Sequence, residues 1–180
     1  RVLRPVHGKT LSVTLYESMT DLDVKKLVDD TVHASLARAS ITWHTTPTAY
    51  AETLLRISDE DHATVIDVGG EVTDIFVLSH QSVAFVGSIP HGSRTIARTI
   101  AGTKDGALAD TLSRLTMFAS AELSEKEMQT MATSLSTASA EWQKAFLETL
   151  RVAGNTVPIP HRVFVVGERG ELAWVSQVVM

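Results

Sequence analysis

Thr64-Val65-Ile66-Asp67-Val68-Gly69-Gly70-Glu71-Val72-Thr73-Asp74-Ile75-Phe76-Val77-Leu78 decides how this chain is read. Two apolar, β-branched runs flank an Asp-x-Gly-Gly turn, and a Thr-Asp pair opens the second run. β-Branched residues favour a pleated backbone and glycine tolerates a tight turn, so the stretch predicts strand, turn, strand. The turn sets bare backbone N–H groups next to a carboxylate at the exit of the first strand. That combination suits a metal-bound phosphate: Gly69 and Gly70 let the backbone approach phosphate oxygens, and Asp67 holds Mg²⁺ through water. Thr73 offers a hydroxyl, and Asp74 can orient a loop or a water. A plain glycine turn, with Asp67 and Asp74 as turn formers, explains the spacing at least as well.

Outward from the hairpin, Ser82 to Ser88 reads as a third strand of a meander. Ile89-Pro90-His91-Gly92 reads as a loop, and Ser93 as the cap of a helix through Ala101. Upstream, Leu11 to Tyr16 alternates apolar and polar residues as a strand does. Thr20 is expected to cap a helix from about Asp21 to Arg38, with Val24, Leu27, Val28, Thr31, Val32 and Leu36 on its apolar face. A short strand around Ile41-Thr42-Trp43 and a helix from Pro47 to Ile57 follow. Asp59-Glu60-Asp61 is the expected subdomain boundary.

From about Asp105 to Ala153 the pattern is helical throughout. Leu108, Leu112 and Leu115 mark one helix. Ser124 and Glu127 form a capping box for a second, with Leu123 placed to staple onto Met128. A third carries Trp142, Phe146 and Leu150, a core stripe by its spacing, with Gly154 expected to stop it. Arg162 to Gly167 reads as a strand entering a glycine loop. The fold class is therefore α/β, with helices covering the sheets.

The 180 residues suffice for a sizeable core, and 44% apolar with 21% charged residues is ordinary for a folded protein. A net charge of −5, with scattered Lys and Arg, gives no electrostatic footprint for nucleic acid. With no cysteine, disulfides, thiolate metal sites and a cysteine nucleophile are excluded, in keeping with a reducing cytoplasm. No apolar run approaches the ~20 residues that span a bilayer. The seven histidines lack metal-site spacing, and only His91 is near the hairpin. Ser88 and Ser93 lack a nucleophile-elbow context. Arg94 and Arg98 lie one helical turn apart, where they can meet phosphate, a partner's acidic face or only solvent. The abrupt start at Arg1 and end at Met180 read as those of a fragment of a longer protein.

Asp67-x-Gly69-Gly70-x-x-Thr73-Asp74 between two apolar strands resembles the second phosphate motif of the actin, Hsp70 and sugar-kinase superfamily. Within it, the chain resembles the bacterial cell-division protein FtsA and its pilus-assembly relative PilM. Val86-Gly87-Ser88-Ile89-Pro90-His91-Gly92-Ser93, with Ile96 and Ile100-Ala101, is similar to the family's IPxGG…IA segment. Ile41 to Ala51 resembles the segment where a strand enters a helix at the base of the fold. Val163-Phe164-Val165-Val166-Gly167-Glu168 stands where the family has its late adenosine-binding strand and loop. The resemblance is specific from about Ile41 to Gly102 and loose elsewhere.

The resemblance implies an actin-like (ribonuclease H-like) lobe with a β-meander core and a helical insert, plus part of a second lobe. Residues 1–57 would close an accessory subdomain and part of the first lobe; 63–104 and 160–180 would form the second-lobe core; 105–155 would be the insert. It implies ATP and Mg²⁺ as cofactors of the full-length protein, none held tightly by this stretch alone. The implied cofactor-binding residues are Asp67, Gly69, Gly70, Glu71, Thr73, Gly92 and Gly167, with Asp67 holding Mg²⁺ through water. The implied role is a nucleotide-dependent or degenerate assembly and membrane-adaptor component in bacterial cell division, with hydrolysis left open. Self-association, a tubulin-like division protein and membrane-associated assembly proteins are the implied partners, at the cytoplasmic face of the membrane. A pilus-assembly scaffold like PilM, or an interaction module without ATP turnover, is the alternative.

Departures from the pattern matter as much. Glu71 stands where the family has a third glycine, Ser93 replaces the second glycine of the later loop, and Thr99 replaces a common acidic residue. Two like charges ~4 Å apart repel by about 4 kcal/mol at an effective dielectric near 20, so Glu71 must be offset by Mg²⁺ or point away from a phosphate. Gly167-Glu168-Arg169-Gly170 keeps two glycines but not a compact run. The first phosphate motif, which the resemblance would place upstream, is absent from the sequence.

Overall fold

A computed structural model describes residues 17–80, 82–102, 107–168, 174–175 and 177–178. The expected strand at Leu11–Tyr16, and Arg169 and Gly170 of the glycine loop, lie outside the described residues. The chain divides into two units at Thr45/Thr46.

In the first unit, α1 spans Leu22–Ser35. Asp21, not Thr20, caps it: the Asp21 carboxylate accepts from the Asp23 N–H at 2.7 Å. The helix ends at Ser35, short of the expected Arg38, and none of its residues is buried; Leu22 is 81% and Leu27 67% exposed. No strand forms at Ile41–Trp43. That segment is held by side chains instead, with Trp43 Nε1 donating to Asp29 at 3.3 Å and the Lys25 ammonium 5.3 Å from the Trp43 ring centroid.

The second unit is built on one four-stranded sheet, in the order β3-β2-β1-β4. The strands are β1 His62–Val68, β2 Thr73–Ser79, β3 Ser82–Ile89 and β4 Val163–Gly167. The hairpin register pairs Asp67 with Asp74 and Val68 with Thr73. β3 continues the antiparallel meander, and β4 returns parallel to β1, Val68 opposite Gly167. That parallel return requires a long crossover, which the helical segment supplies.

Alternation along the strands divides the sheet into two faces. Ala63, Val65, Phe76 and Leu78 point to one, where α2 (Thr46–Ser58) covers them with Ala51 and Leu55. Asp59–Asp61 lies inside this unit, joining α2 to β1, and not at the division of the chain. Asp59 turns the chain at φ 54°, Glu60 N donates back to Leu55 O at 3.1 Å, and the Glu60 carboxylate pairs with Arg162 at 2.7 Å.

Ile66, Val68, Ile75 and Ile89 point to the other face, under α3 (Ser93–Ala101), α4 (Ala107–Ala119) and α5 (Glu125–Gly154). Leu115, Phe118, Met131, Leu135 and Trp142 complete one continuous core with the sheet, so α4 and α5 form a layer of this unit. The second and third expected helices are a single 30-residue helix. Its capping box forms as read: the Glu127 carboxylate accepts from the Ser124 N–H at 3.1 Å and from its hydroxyl at 2.5 Å. Gly154 is its last residue and Asn155 its C-cap. Gly87 is what lets α5 approach β3, since a Cβ there would stand 2.6 Å from the Thr149 methyl.

Candidate functional site

The β1–β2 turn sits at the carboxyl end of β1, beside the end of its parallel neighbour β4. Such ends are where open α/β sheets accept ligands. Gly69 N donates to Val72 O at 2.9 Å and closes the turn, leaving Gly70 and Glu71 at its tip. Neither Gly69 nor Gly70 has positive φ. Their lack of a Cβ serves close approach instead. A Cβ on Gly69 would lie 2.9 Å from Val72 O, and one on Gly70 would lie 3.1 Å from Arg94 Cδ.

Gly92 is placed differently from the expectation of a phosphate-facing glycine. It packs against the hairpin, and a Cβ there would fall 2.2 Å from Gly69 O and 2.5 Å from Gly70 O. Gly92, not Ser93, is the N-cap of α3. The turn's carbonyls satisfy the first N–H groups of the helix: Ser93 N donates to Gly69 O at 3.0 Å, and Arg94 N donates to Gly70 O at 2.9 Å. The Ser93 hydroxyl donates to the same Gly69 carbonyl at 3.3 Å. This helix start is therefore committed to the hairpin.

Thr73 also departs from its expected role. It is 0% exposed on the helical-layer face; its hydroxyl donates to His91 O at 2.8 Å and accepts from Trp142 Nε1 at 3.0 Å. Both bonds are internal, so the hydroxyl is not presented to a ligand. Trp142, 2% exposed, stacks on Phe146 with centroids 4.9 Å apart, a core element as its spacing implied.

Asp67 and Asp74 face the other way, towards α2, directly opposite each other on adjacent strands. Each carboxylate accepts one hydroxyl. Tyr50 on α2 donates to Asp67 Oδ2 at 2.8 Å, and Ser88 on β3 donates to Asp74 Oδ1 at 2.5 Å. Burial pushes the Tyr50 phenol well above the usual tyrosine range, and its bond to Asp67 and the Asp67 and Asp74 charges add to the rise. It therefore stays a proton donor at neutral pH. Tyr50 lies in the Ile41–Ala51 segment, whose sequence pattern assigns it no role. Only the register of α2 over the sheet brings it to Asp67, and no local motif announces that.

Glu71 is exposed, and its charge is met by Arg98 from α3. Arg98 Nη1 reaches Glu71 Oε1 at 2.8 Å, Arg98 Nη2 bonds Glu71 Oε2, and the Thr95 hydroxyl donates to Oε2 at 3.3 Å. The Arg98 bonds hold the Glu71 carboxyl below the usual carboxylate range. Arg94 crosses Gly70 towards Glu168, just past β4, with 3.7 Å between Nη2 and Oε1. Gly167 closes β4 opposite Val68.

Apart from the exposed Glu71 at the tip, the site residues separate into two groups. Asp67, Gly69, Gly70 and Gly167 lie together at the ends of β1 and β4. The Asp67 carboxylate fits the hard oxygen donor that Mg²⁺ takes once or twice beside its waters and phosphate oxygens. Thr73 and Gly92 are committed to holding the hairpin against β3, α3 and α5. Among the described residues no group of three or more His, Cys, Asp or Glu is arranged to hold a metal by itself. At the other end of the sheet a cleft of about 890 Å³, lined by His62, Val77, Val157, Ile159, Arg162 and Val163 among others, lies apart from the hairpin.

No protein-family model matches the sequence, and no curated protein matches it. Solved structures do. The ethanolamine utilization protein EutJ from Carboxydothermus hydrogenoformans matches with TM-score 0.52 at 18% identity, over 74% of this chain and 45% of that one. MreB5 of Spiroplasma citri bound to ADP matches with TM-score 0.55 at 14% identity, over 83% and 55%. A chain of the PilM–PilN type IV pilus biogenesis complex matches with TM-score 0.54 at 18% identity, over 87% and 44%. The chain thus spans about half the length of each of these structures. Among the described residues no helix is long and apolar enough to cross a membrane.

Proposed function

We propose that this chain, which has an actin-like α/β fold, is part of a bacterial assembly protein that binds a nucleotide's phosphates at the Asp67–Gly70 hairpin. The observation that carries the reading is the placement of Asp67: an acceptor carboxylate at the carboxyl end of β1, one step from a glycine turn, beside the end of a parallel strand. Mg²⁺ would be held there through water, and Gly69 and Gly70 would let phosphate approach the backbone. MreB5, of like fold, is described bound to ADP. In its finer form the reading is an FtsA-like or PilM-like adaptor at the cytoplasmic face of the membrane. Such a protein would associate with itself and with a tubulin-like division protein or pilus-assembly proteins.

A second reading, a scaffold that keeps the fold without ATP turnover, is favoured by one observation. The turn carbonyls and the first N–H groups of α3 bond each other, so this helix N-terminus has no N–H left pointing at a phosphate. The test is calorimetric titration of the full-length protein with MgADP and MgATP, for wild type and Asp67→Asn. Saturable binding that falls at least tenfold in Asp67→Asn, with an unchanged melting temperature, supports the nucleotide reading. No binding by the wild type leaves the scaffold.

A further inference from the structure

Tyr50 does not belong to the hairpin, to its flanking strands or to α3, yet it makes a direct side-chain bond to the hairpin carboxylate. Its ring is fixed from the side, with the Phe76 centroid 5.8 Å away and tilted 41°. Its helix is anchored through Ala51 and Leu55, both buried against Ala63, Val65 and Leu78. The phenol oxygen therefore has little freedom, and it reaches Asp67 Oδ2 at 2.8 Å. Across the sheet the Ser88 hydroxyl does the same for Asp74. Two carboxylates directly opposed on one face of an antiparallel pair repel. Here each is given a hydroxyl donor from outside the β1–β2 pair.

We infer that Tyr50 is a positioning residue for Asp67: it takes Oδ2 and fixes the carboxylate plane, so that a hydrated divalent cation meets the carboxylate through Oδ1. The inference rests on the nucleotide reading above and deepens it by naming what orients the cation's carboxylate. A carboxylate free to rotate presents either oxygen over a range of angles; one pinned by a stiff aromatic donor presents one. Outer partners of this kind typically carry 10- to 100-fold in metal affinity. The arrangement also couples α2 to the hairpin, so a shift of α2 along the sheet would change how the cation is held.

Tyr50→Phe removes the hydroxyl and keeps the ring on Phe76, so the core is retained. In the full-length protein, ADP affinity is titrated calorimetrically with magnesium and again in EDTA, for wild type, Tyr50→Phe, Asp67→Asn and the double variant. The expected result is a loss of about tenfold for Tyr50→Phe with magnesium, none in EDTA, and no further loss when Tyr50→Phe is added to Asp67→Asn. An equal loss with and without magnesium, or a loss that persists in the Asp67→Asn background, would show Tyr50 acting through the fold and overturn the inference. Unchanged affinity in Tyr50→Phe would overturn it as well. Failure of wild type to bind ADP under either condition is a different outcome: it removes the nucleotide reading itself, and the role of Tyr50 with it.

Discussion

Thr73 and Asp74 are neighbours in the chain and opposites in the structure. Thr73 points into the helical-layer core, where its hydroxyl ties Trp142 on α5 to His91 before α3. Asp74 points to the α2 face, opposite Asp67 and under the Ser88 hydroxyl. The same division runs down the β1–β2 hairpin: Val68 and Thr73 on the dry side, Asp67 and Asp74 on the polar one. What reads in the sequence as one phosphate motif is two sets of residues with different work. One set holds the hairpin to the body of the protein, and the other faces α2 and contains the carboxylate proposed to meet a ligand. The comparison predicts that substitutions on the first side cost stability, while those on the second change binding and leave stability nearly alone.

The largest expected effect is on the dry side. Trp142→Ala removes a buried ring stacked on Phe146 and leaves the Thr73 hydroxyl without the indole N–H. Truncations of this kind cost about 3–5 kcal/mol. Urea denaturation should show a midpoint lowered accordingly. A loss much smaller than that would mean α5 does not hold the hairpin, and the division between faces would lose its main support.

A finer test compares the two neighbours directly. Thr73→Val keeps the shape but strands the buried Trp142 N–H, which should cost about 1–3 kcal/mol. Asp74→Asn removes one of two opposed charges while keeping an acceptor for Ser88, so stability should change little or rise slightly. Equal destabilisation by the two substitutions would erase the distinction between the faces.

These neighbours also mark the limit of what could be read in advance. Strand, turn, strand and the α/β class were legible because β-branched runs and glycines act locally, and the Ser124–Glu127 capping box formed for the same reason. The actin-like fold was legible only through the resemblance of the hairpin and its flanking segments to a known family, since the spacing alone fits a plain glycine turn as well. The side-by-side placement of Tyr50 and Asp67, and of Glu71 and Arg98, was not, because each depends on how one element packs on another. Gly92 illustrates the difficulty best. A glycine beside a phosphate and a glycine beside another loop's carbonyl give the same letter in the sequence; only the packing, in which a Cβ on Gly92 would fall 2.2 Å from Gly69 O, separates them. Ile41–Trp43 failed as a strand for a related reason: its β propensity has no partner strand among the described residues, and Trp43 bonds α1 instead.

The smallest effect is expected at the tip of the hairpin, which belongs to neither face. Glu71 is exposed, and its bonds to Arg98 tie the turn to α3 from outside. Because Arg98 holds the Glu71 carboxyl below the ordinary value of 4.5, the folded protein takes up that proton less readily than the unfolded chain. The stabilisation is therefore fully present above the unfolded value and is lost as pH falls through the lower folded one. Wild type should melt slightly above Arg98→Ala at neutral pH, and the difference should shrink as pH falls below 4.5 and vanish once Glu71 is protonated in the folded protein as well. Added salt should shrink it too, since exposed pairs are screened. A gap that survives both acid and salt would mean that Arg98 acts by packing its stem against α3 and the turn, and the tip would then have to be counted with the dry side of the hairpin.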